Sequence, residues 1–400
     1  MFIILSFRNL FRNVRRTCAV LLTIALGSGA LICYDGFNSG LLERYREGTI
    51  HSHYGNGQIY VKGYREKIHD QPWQYWIKDW GALKELLIQQ DSVENVFPRL
   101  GFSGLLSNGK KTVSGQGLGI DGVAESSFFY KLNIVEGENL TSQQNGIILG
   151  KGLATALDVA PGDEIAVHTH SIEGKMNQIY LKVVGIFYTG SHDFDSRVFR
   201  IPLEQAQTLL KTQDIETLSV GLNNPSDWNN ISKLVLEKHS DYEPISFEEL
   251  DAIFYKHSVE WLRAQFRVVQ GIILTVVVLG IFNSVSTSIL ERKQEIGNLR
   301  ANGESMIDII KMTLLEGAFL GMLGSTLGLL ASFLIVHLFL SDGFLMPPGP
   351  GLTKEIRAFI YLQGSMIWKT TLLCTFAAVL ATFFASFRVV KLPVAKALYG

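Results

Sequence analysis

The sequence predicts an α-helical membrane protein with four transmembrane helices, one before and three after a large extracytoplasmic α+β domain. Three observations lead to this fold class. The 400-residue chain is 47% hydrophobic and 18% charged, whereas soluble domains average about 25% charge. Its apolar residues concentrate in four segments, each long enough to cross a hydrocarbon core of about 30 Å. A long polar stretch with mixed strand and helix patterns separates the first segment from the second.

The four apolar segments divide the chain into nine parts. In order these are an amphipathic helix on the inner membrane surface (1–16), the first span (17–37), the extracytoplasmic domain (38–267), the second span (268–290), a cytoplasmic segment (291–312), the third span (313–340), an extracytoplasmic loop (341–365), the fourth span (366–387) and a cytoplasmic tail (388–400). The first part has apolar residues at helical spacing with a cationic face between them. The same spacing also fits a helix that continues into the first span.

Basic residues at both ends of the chain predict its orientation. They are Arg8, Arg12, Arg15 and Arg16 before the first span, and Arg388, Lys391 and Lys396 after the last. Lys and Arg near the ends of spans favour the cytoplasm. We therefore expect both termini in the cytoplasm of a cell (inner) membrane and the large domain in the periplasm or outside the cell. Residues 38–50 contain no A-x-A pattern, so the first span is interpreted as an uncleaved anchor rather than a signal peptide.

The extracytoplasmic part is predicted to be an α+β domain of two lobes. Alternating apolar and polar residues predict strands, and apolar residues at steps of three and four predict helices. Strands are predicted at 57–63, 164–170, 178–187 and 216–222, and helices at 80–90, 203–211 and 227–239. Residues 218–246 suggest one β-α-β unit. Because Cys18, Cys33 and Cys374 all fall in predicted spans, we expect no disulfide bond in the domain.

A helical stalk is predicted over residues 247–267, just before the second span. Five side chains recur there at alternating steps of four and three, the seam spacing of a coiled coil. They are Leu250, Phe254, His257, Trp261 and Ala264. The pattern covers about two heptads, so a lone amphipathic helix is the alternative interpretation. His257 is interpreted as a packing residue rather than a metal ligand.

Three tryptophans, Trp73, Trp76 and Trp80, lie near the start of the domain at steps of three and four. On one helix they would form a single aromatic face, which suits a hydrophobic ligand or an interface. The alternative interpretation is that they pack in the core of the domain.

No motif in the sequence indicates an enzyme or a resident cofactor. Residues 117–122 match G-x-G-x-x-G, but the segment is predicted to be extracytoplasmic and no strand-to-helix βαβ context is expected around it. The pairs His51 with His53 and His168 with His170 lack the third ligand that zinc needs, so they are interpreted as solvated turn and strand residues. We therefore expect no metal site in this chain, and no bound ATP or magnesium.

The third span contains two small-xxx-small pairs, which allow helix backbones to approach closely. They are Gly317 with Gly321, and Gly324 with Gly328. We expect this span to pack against a partner helix. Glu316 lies in its first turns, where a carboxylate near the membrane surface favours pairing with a basic residue over proton coupling.

The segment ERKQEIGNLRANG, residues 291–303, carries dense charge between the second and third spans and is predicted to face the cytoplasm. A short amphipathic helix there would place Ile296 and Leu299 on one side, with Glu295 and Arg300 as charged contacts. Such a helix could dock in a groove of a soluble protein. The alternative is a solvated loop whose charges only fix the topology.

This segment, with Asn283 and LLEG at 314–317, resembles the signature of the FtsX/MacB-type permease family of ABC transporters. Residues 8–10 and 393–398 are also similar to the two ends of that family. The resemblance implies a four-helix permease subunit that works with a cytoplasmic ATPase dimer of separate chains. The ATPase dimer would bind ATP and magnesium. A second permease copy or a paralogue would be the other partner. The resemblance also implies that residues 291–303 are the coupling helix. Its ATPase-coupling residues would be Glu291, Arg292, Glu295, Ile296, Gly297, Leu299, Arg300 and Gly303.

Within that family, ILGKGLA at 148–154 and VGIF at 184–187 are most similar to the LolC/LolE lipoprotein-releasing subunits. This narrower resemblance implies a lipoprotein or another hydrophobic substrate, contact with membrane lipid, and a periplasmic carrier as a further partner. The subunit that recruits the carrier has a long, proline-containing hairpin, whereas residues 169–177, THSIEGKMN, are shorter and contain no proline. The chain therefore resembles the non-recruiting partner subunit, or a subunit of an exporter with another substrate.

Two function classes remain open. The first is a permease that extracts or exports a hydrophobic substrate. The second is an FtsX-like mechanical signal transmitter that activates an extracytoplasmic enzyme without transport. They differ in what the extracytoplasmic domain binds, which is a lipid-like ligand in the first class and an enzyme in the second. Neither class includes a nucleic acid as a partner.

Overall fold

Long apolar helices and a large mixed sheet dominate the computed structural model, which describes residues 6, 8, 10, 14–68, 71–140, 145–252, 256–291, 294, 298, 303–347 and 355–390. The chain divides into two compact units. The helical unit comprises Met1–Glu43, Ser258–Met346 and Arg357–Gly400, and the sheet unit comprises Arg44–His257 and Pro347–Ile356.

The elements are numbered here in chain order. The α-helices are α1 (Val14–Thr49), α2 (Tyr64–Lys67), α3 (Trp80–Ile88), α4 (Gly122–Phe128), α5 (Lys151–Leu157), α6 (His192–Asp195), α7 (Leu203–Leu210), α8 (Trp228–Lys238), α9 (Phe247–Leu250), α10 (His257–Glu291), α11 (Met306–Phe339) and α12 (Gly364–Val390). The strands are β1 (Gly57–Val61), β2 (Val93–Ser107), β3 (Thr112–Ile120), β4 (Asn133–Gly137), β5 (Gly146–Gly150), β6 (Glu164–His170), β7 (Met176–Tyr188), β8 (Val198–Pro202), β9 (Thr217–Leu222), β10 (Tyr242–Ser246), β11 (Phe344–Met346) and β12 (Ile356–Ala358). The described residues also form short helical turns, among them a π-helical turn at Ile50–Tyr54 and 3₁₀ turns at Pro72–Tyr75 and Pro225–Asp227.

Four helices of the described chain, α1, α10, α11 and α12, are long and apolar enough to cross a membrane. Their candidate spans are Thr17–Tyr54, Val259–Thr287, Met306–Phe339 and Gly364–Ser386. The prediction of one span before and three after a large domain is therefore confirmed. Buried apolar side chains from α1, α10 and α12, among them Ile24, Val277 and Ala378, form one cluster in the helical unit.

The sheet unit is built on a ten-stranded sheet with the order β10-β1-β9-β2-β3-β8-β5-β7-β4, while β6 pairs with β2 and β7 off this path. The prediction of two lobes is wrong, because one hydrogen-bonded sheet extends through the unit. The long strand β2 causes this continuity. Its first part, Val93–Arg99, pairs with β9, and its second part, Arg99–Ser107, pairs with β3.

The predicted β-α-β unit is present with one strand inserted. Strands β9 and β10 both pair antiparallel with β1, so they run parallel to each other on either side of it. Helix α8 connects them and buries Trp228, Ile231 and Val235. The strand at the amino-terminal end of the sheet unit therefore lies between two strands from its carboxyl-terminal end.

The first long helix leads directly into this sheet. After Thr49 the chain makes the π-helical turn and reaches Gly55, whose φ is +74°. A Cβ at Gly55 would lie 2.5 Å from Ser219 Oγ and 2.9 Å from the carbonyl oxygen of Val220. Because the backbone is left-handed and the space is filled, this position requires glycine.

The predicted stalk is not one helix over 247–267. Leu250 ends the separate short helix α9 and packs against the sheet unit's core, Asp251 follows in a turn, and α10 begins at His257. His257, Trp261 and Ala264 lie on α10 and are exposed, and Phe254 lies outside the described residues. The predicted seam therefore divides between two helices. The heptad count missed the break because it does not detect a helix end.

Candidate functional site

Two buried arginines bind the backbone at the end of the first long helix. Arg200 Nη2 donates to the carbonyl oxygen of Ser52 at 2.7 Å, and Arg99 Nη1 donates to the carbonyl oxygen of His53. Both carbonyls belong to the π-helical turn that follows α1. Carbonyl groups at the C-terminal end of a helix lack partners within it and carry partial negative charge, so cationic donors stabilise them. The two arginines thus fix the chain where α1 ends.

One carboxylate is shared by the two guanidinium groups. Arg99 Nε donates to Glu125 Oε1 at 2.7 Å, Arg99 Nη2 donates to Oε2 at 3.0 Å, and Arg200 Nη1 lies 3.4 Å from Oε2. The two arginine side chains are each 1% exposed and that of Glu125 is 3% exposed. We call Arg99, Glu125 and Arg200 the arginine clamp.

Three elements of the sheet unit position the arginine clamp. Arg99 on β2 is opposite Ile120 of β3, and Arg200 on β8 is opposite Leu118 of the same strand. Because residues 118 and 120 are two positions apart, both arginines project from one face of the sheet. Glu125 comes from α4, whose first turn is capped by Asp121 through a 3.1 Å hydrogen bond from Ala124 N. The clamp therefore depends on pairing between distant segments of the chain.

Aromatic rings surround the clamp and exclude water. The guanidinium carbon of Arg99 lies 4.4 Å from the centre of the Phe129 ring, and that of Arg200 lies 5.9 Å from the Phe187 ring. Cations over aromatic faces are attracted more strongly when they are desolvated. Burial lowers the pKa of Arg200 to about 10, and the Glu125 carboxylate opposes that shift. Arg200 is therefore charged at neutral pH.

Sequence reasoning missed the arginine clamp, although a signal was available. Arg99 and Arg200 are single charges within otherwise apolar strand segments, VFPRLGF and VFRIP. Arginine is almost never fully buried unless it is paired. A lone arginine in a strand of this kind therefore indicates a buried partner, but the sequence does not say which acidic residue supplies it.

Two weaker contacts join the last turns of α1 to α9 and the residue that follows it. Tyr45 Oη donates to Asp251 Oδ2 at 2.8 Å, and Arg46 Nη2 lies 3.8 Å from Glu248 Oε1. Burial raises the pKa of Asp251, and the hydrogen bond from Tyr45 opposes this shift. Both contacts lie within the sheet unit. They hold the start of the domain against its end.

A second carboxylate, Glu216, lies near the clamp. Its Oε1 accepts from Tyr64 Oη at 2.7 Å and its Oε2 accepts from Gly101 N at 2.7 Å. Burial raises the pKa of Glu216 despite these hydrogen bonds and the nearby positive charge of Arg99. A carboxyl group whose pKa is higher in the folded protein than in the unfolded chain makes its complete contribution to stability at pH values below its unfolded pKa. This contribution is lost as pH rises through its folded pKa.

We therefore expect the wild-type chain to lose stability relative to Glu216→Gln as pH rises from about 4, near the unfolded pKa of glutamate, towards neutrality. Thermal unfolding midpoints of both chains in detergent across this pH range measure the effect. The exposed Glu164 on β6 provides a matched control, since Glu164→Gln also removes one carboxylate. A difference between wild type and Glu216→Gln that is constant with pH would contradict the assignment.

The structure describes two of the predicted ATPase-coupling residues. Glu291 is the exposed last residue of α10, and Gly303 has a φ of +98° in a turn before α11. Ser305 then caps α11 by accepting a hydrogen bond from Asp308 N at 3.2 Å. The other predicted residues lie outside the described part of the chain; they are Arg292, Glu295, Ile296, Gly297, Leu299 and Arg300.

The glycines of the third span lie against two neighbouring helices. A Cβ at Gly317 would lie 2.9 Å from Thr382 Cβ, and one at Gly321 would lie 2.7 Å from Thr375 Cα, both on α12. Any larger side chain would therefore push α12 away. This half of the glycine pattern forms a contact within the chain itself.

The other half of the pattern lies against α1. A Cβ at Gly324 would lie 2.7 Å from Ile24 Cβ, and one at Gly328 would lie 2.5 Å from the carbonyl oxygen of Ala25. On the same surface Ser332 Oγ donates to the carbonyl oxygen of Gly29 at 3.2 Å. Helix α11 therefore contacts α12 through its first glycine pair and α1 through its second.

The three tryptophans do not form a single aromatic face. Trp73 lies in a 3₁₀ turn and is 38% exposed, Trp76 is extended and 6% exposed, and Trp80 begins α3. Extended backbone at Trp76 and left-handed backbone at Asp79 separate these elements, so no continuous helix carries all three side chains. Trp76 packs in the largest core cluster and Trp80 packs against another. Core packing is thus the correct interpretation for these two.

His51 and His53 lie on the π-helical turn rather than on a strand, and aromatic rings pack against them. The His51 ring lies 4.6 Å from the Phe128 ring, and the His53 ring lies 4.7 Å from the Phe194 ring. The prediction that they are solvated is wrong for this reason. Among the residues that the structure describes, no three His, Cys, Asp or Glu side chains are grouped so that they could hold a metal ion.

The G-x-G-x-x-G segment runs from the end of β3 to the first residue of α4, but no βαβ unit follows in the described chain, because β4 pairs with β7 at the far end of the sheet. Its glycines serve packing. A Cβ at Gly117 would lie 2.6 Å from Phe199 Cζ, and one at Gly119 would lie 2.5 Å from Ala206 Cβ. Core side chains already fill the space that a phosphate group would need beside these two glycines.

Residues 169–177 form the end of the β6–β7 hairpin and fold against the sheet unit. Thr169 Oγ1 donates to the carbonyl oxygen of Ser103 at 2.6 Å, and Asn177 Nδ2 donates to that of Leu209 at 2.9 Å. Ile172 N also donates to the carbonyl oxygen of Leu210 at 3.1 Å. The segment is therefore bound to β2 and to the end of α7.

Two family models match the sequence. The MacB-like periplasmic core domain matches residues 17–237, and the FtsX-like permease C-terminal region matches residues 267–394. The first match covers most of α1 and most of the sheet unit. The second covers α11, α12 and most of α10.

Named relatives are similar at modest identity. The chain is 23% identical over 326 residues to the lipoprotein-releasing system transmembrane protein LolE of Haemophilus influenzae, an alignment that covers 78% of this chain and 77% of LolE. It is 24% identical over 339 residues to the macrolide export ATP-binding/permease protein MacB of Sodalis glossinidius, which covers 79% of this chain and 49% of that protein. It is also 23% identical to the lipoprotein-releasing system transmembrane protein LolC of Xylella fastidiosa over 51% of each chain.

The chain therefore spans about half the length of the MacB and LolC relatives. Among solved structures, the periplasmic region of MacB from Actinobacillus actinomycetemcomitans is similar at 16% identity with a TM-score of 0.37, over 53% of this chain and 96% of that one.

Proposed function

Because the chain belongs to the ABC transporter permeases with a MacB-like periplasmic core domain and an FtsX-like C-terminal region, we propose that it couples ATP hydrolysis by a separate ATPase to movement of its extracytoplasmic domain. In this proposal the ATPase dimer binds ATP and magnesium, and this chain catalyses no reaction. A second permease copy or a paralogue completes the complex. The substrate is a lipoprotein or another hydrophobic molecule taken from the membrane, a class that the similarity to LolE supports.

The proposed topology places both termini and residues 291–312 in the cytoplasm. The basic residues at the ends of the chain support this orientation. The charged segment 291–303 then faces the ATPase, and the sheet unit is extracytoplasmic. One crossing by each of the four candidate spans would return the chain to the side on which it began.

The fixed end of α1 is the observation that carries the proposal. This helix carries most of the first candidate span, Thr17–Tyr54, and continues unbroken to Thr49. The arginine clamp then binds the carbonyls of Ser52 and His53 in the next turn. A rigid helix bonded at its end transmits displacement of the span into the domain, whereas a flexible linker would absorb it.

The coupling role of residues 291–303 is tested by exchanging two charges. In Glu295→Arg with Arg300→Glu, the net charge is unchanged, but attractive contacts with the ATPase become repulsive. We expect its affinity for the ATPase to fall about tenfold or more, which corresponds to a loss of about 1.4 kcal/mol. Co-purification of the ATPase and ATP hydrolysis in nanodiscs measure the effect.

Glu66→Lys with Lys67→Glu is the matched control, because it exchanges two exposed charges on α2 of the sheet unit. This control is expected to behave as wild type. If the Glu295/Arg300 exchange left ATPase binding and ATP hydrolysis unchanged, residues 291–303 would not be the coupling segment.

Substrate class is tested by a mild-detergent pull-down of the full-length chain, followed by mass spectrometry of proteins and lipids. An ATPase recovered together with acylated protein supports lipoprotein transport. An ATPase recovered with an extracytoplasmic hydrolase and without lipid cargo would favour the signal-transmitter function instead. Recovery of this chain with no ATPase would contradict both functions.

A further inference from the structure

We propose that His168, His170 and Met176 form a binding site for a soft monovalent metal ion, Cu(I) or Ag(I), on the sheet unit. The three residues lie on neighbouring strands, and all of them line one pocket of about 500 Å³. None of them belongs to the arginine clamp or to residues 291–303. The proposal is therefore independent of the proposed transport function.

The register of the β6–β7 hairpin brings the three side chains together. His170 is directly opposite Met176, and His168 is opposite Gln178. His168 and His170 are two positions apart on β6, so they project from the same face as Met176. Directly opposite residues have Cβ atoms about 4.5–5.5 Å apart, and diagonal neighbours, about 7–8 Å apart, are still within reach of long side chains. Two imidazoles and one thioether can therefore converge on one ion.

Backbone pairing holds the strands that carry these ligands. Strand β6 pairs with β7 along its whole length, including His170, and with β2 at residues 166–168. The hairpin turn is closed by Ser171 N, which donates to the carbonyl oxygen of Lys175 at 2.8 Å. Sites built on paired strands hold their ligands more accurately than sites on loops. The proposed site thus has its backbone positions fixed before an ion arrives.

The donor set selects the class of metal. Thioether sulfur is a soft ligand that favours Cu(I), and imidazole also binds copper. Zinc instead takes its ligands from Cys, His, Asp and Glu. Met176 is 66% exposed, so little of its side chain contributes to packing. A methionine in this position is better explained by a ligand role than by burial.

The surroundings of the site suit a monovalent ion. Leu105 on β2 is directly opposite His168 and supplies an apolar wall. Arg197 also lines the pocket, but its guanidinium lies 3.5 Å from Asp193 Oδ1, which offsets its positive charge. Imidazole and thioether groups carry no negative charge as metal ligands, so the ion's own charge is not neutralised by them. A monovalent ion adds one positive charge to the site, whereas a divalent ion would add two.

The site is tested by titrating Cu(I) against bicinchoninate, without oxygen, on the full-length chain in nanodiscs. Cys18, Cys33 and Cys374 are replaced by Ala in this background, because thiolates also bind Cu(I). We expect one equivalent of Cu(I) to bind. Met176→Leu, His168→Gln and His170→Gln should each weaken binding by about tenfold or more, as loss of groups that hold a metal typically does. Met306→Leu and His239→Gln are matched controls outside the pocket and should leave binding unchanged.

A second measurement uses the chain with its native cysteines, so it does not depend on the folding of the thiol-free background. The methionines carry ¹³C-methyl labels, and the signal of Met176 is identified by its loss in Met176→Leu. Ag(I) is expected to shift this signal and not that of Met306. An unshifted Met176 signal would overturn the proposal, as would Cu(I) binding that Met176→Leu does not weaken. Zn(II) binding that persists in Met176→Leu, without Cu(I) binding, would also overturn it.

Discussion

Glu125→Gln is expected to lower the free energy of unfolding of the sheet unit by about 3–5 kcal/mol, because it leaves two buried guanidinium groups without their shared carboxylate. Arg99 and Arg200 are each 1% exposed, so solvent does not replace the lost charge. Urea unfolding of the full-length protein in detergent, followed by tryptophan fluorescence, measures the change. Trp76 and Trp228 are buried in the sheet unit and report on its unfolding.

Two further variants test whether the unpaired buried charge causes the loss of stability in Glu125→Gln. Glu164→Gln removes an exposed carboxylate from β6 and is expected to change stability by less than about 0.5 kcal/mol. Replacing the whole clamp by apolar residues, as Arg99→Met, Glu125→Leu and Arg200→Met, is expected to recover much of the stability lost in Glu125→Gln, because no buried charge is left unpaired. Equal stability of Glu125→Gln and wild type would refute the ionic role of the clamp.

The apolar triple variant also separates stability from function. It removes the donors to the carbonyls of Ser52 and His53 while the fold is retained. If the clamp couples α1 to the domain, this variant should hydrolyse ATP with its ATPase but release substrate poorly. Normal substrate release by a stably folded triple variant would assign the clamp to folding alone.

Gly328→Leu is expected to disrupt the packing of α11 against α1. The first added carbon would already lie 2.5 Å from the carbonyl oxygen of Ala25 and 3.0 Å from Gly29 N, and it would contact Ser28 Oγ more closely still. Two of these three contacts are backbone atoms, which cannot rotate away. Overpacking of a core costs about 1–3 kcal/mol, and here the two helices must separate to accept the side chain. We expect a lower thermal midpoint in detergent and a reduced yield of folded protein.

Gly271→Leu provides the matched control for Gly328→Leu. Gly271 lies within α10, and a Cβ there would have no neighbouring atom within 4 Å. The same increase in size should therefore leave the folding of the single chain unaffected. A normal melting profile for Gly328→Leu would show that the helices can separate at this point without cost.

The sequence could predict the features that depend on neighbouring residues. Each apolar span is a continuous run, and small residues four positions apart fall on one side of a helix, so the spans and their glycine pairs could be predicted. The arginine clamp could not be predicted in this way. Glu125 is 26 residues from Arg99 and 75 from Arg200, and only the pairing of β2, β3 and β8 brings the three together.

The errors have local causes that a periodicity count does not detect. Extended backbone at Trp76 and left-handed backbone at Asp79 divide the tryptophan segment, and a turn at Asp251 interrupts the predicted stalk. The two-lobe prediction failed because β2 pairs with different neighbours along its length. That Met176 is a neighbour of His170 follows only from the register of the β6–β7 hairpin, which a periodicity count does not give.

The arrangement of β1 has an evolutionary consequence. Gly57, where the chain enters the sheet, is directly opposite Ser246, where it leaves the last strand of the sheet unit. Residues opposite each other on antiparallel strands have Cα atoms about 5 Å apart. A domain whose ends meet in this way behaves as an insertion cassette, because its size can change without altering the distance between its points of attachment. Selection could therefore enlarge, shorten or exchange the domain while the helical segments on either side of it in the sequence stayed the same.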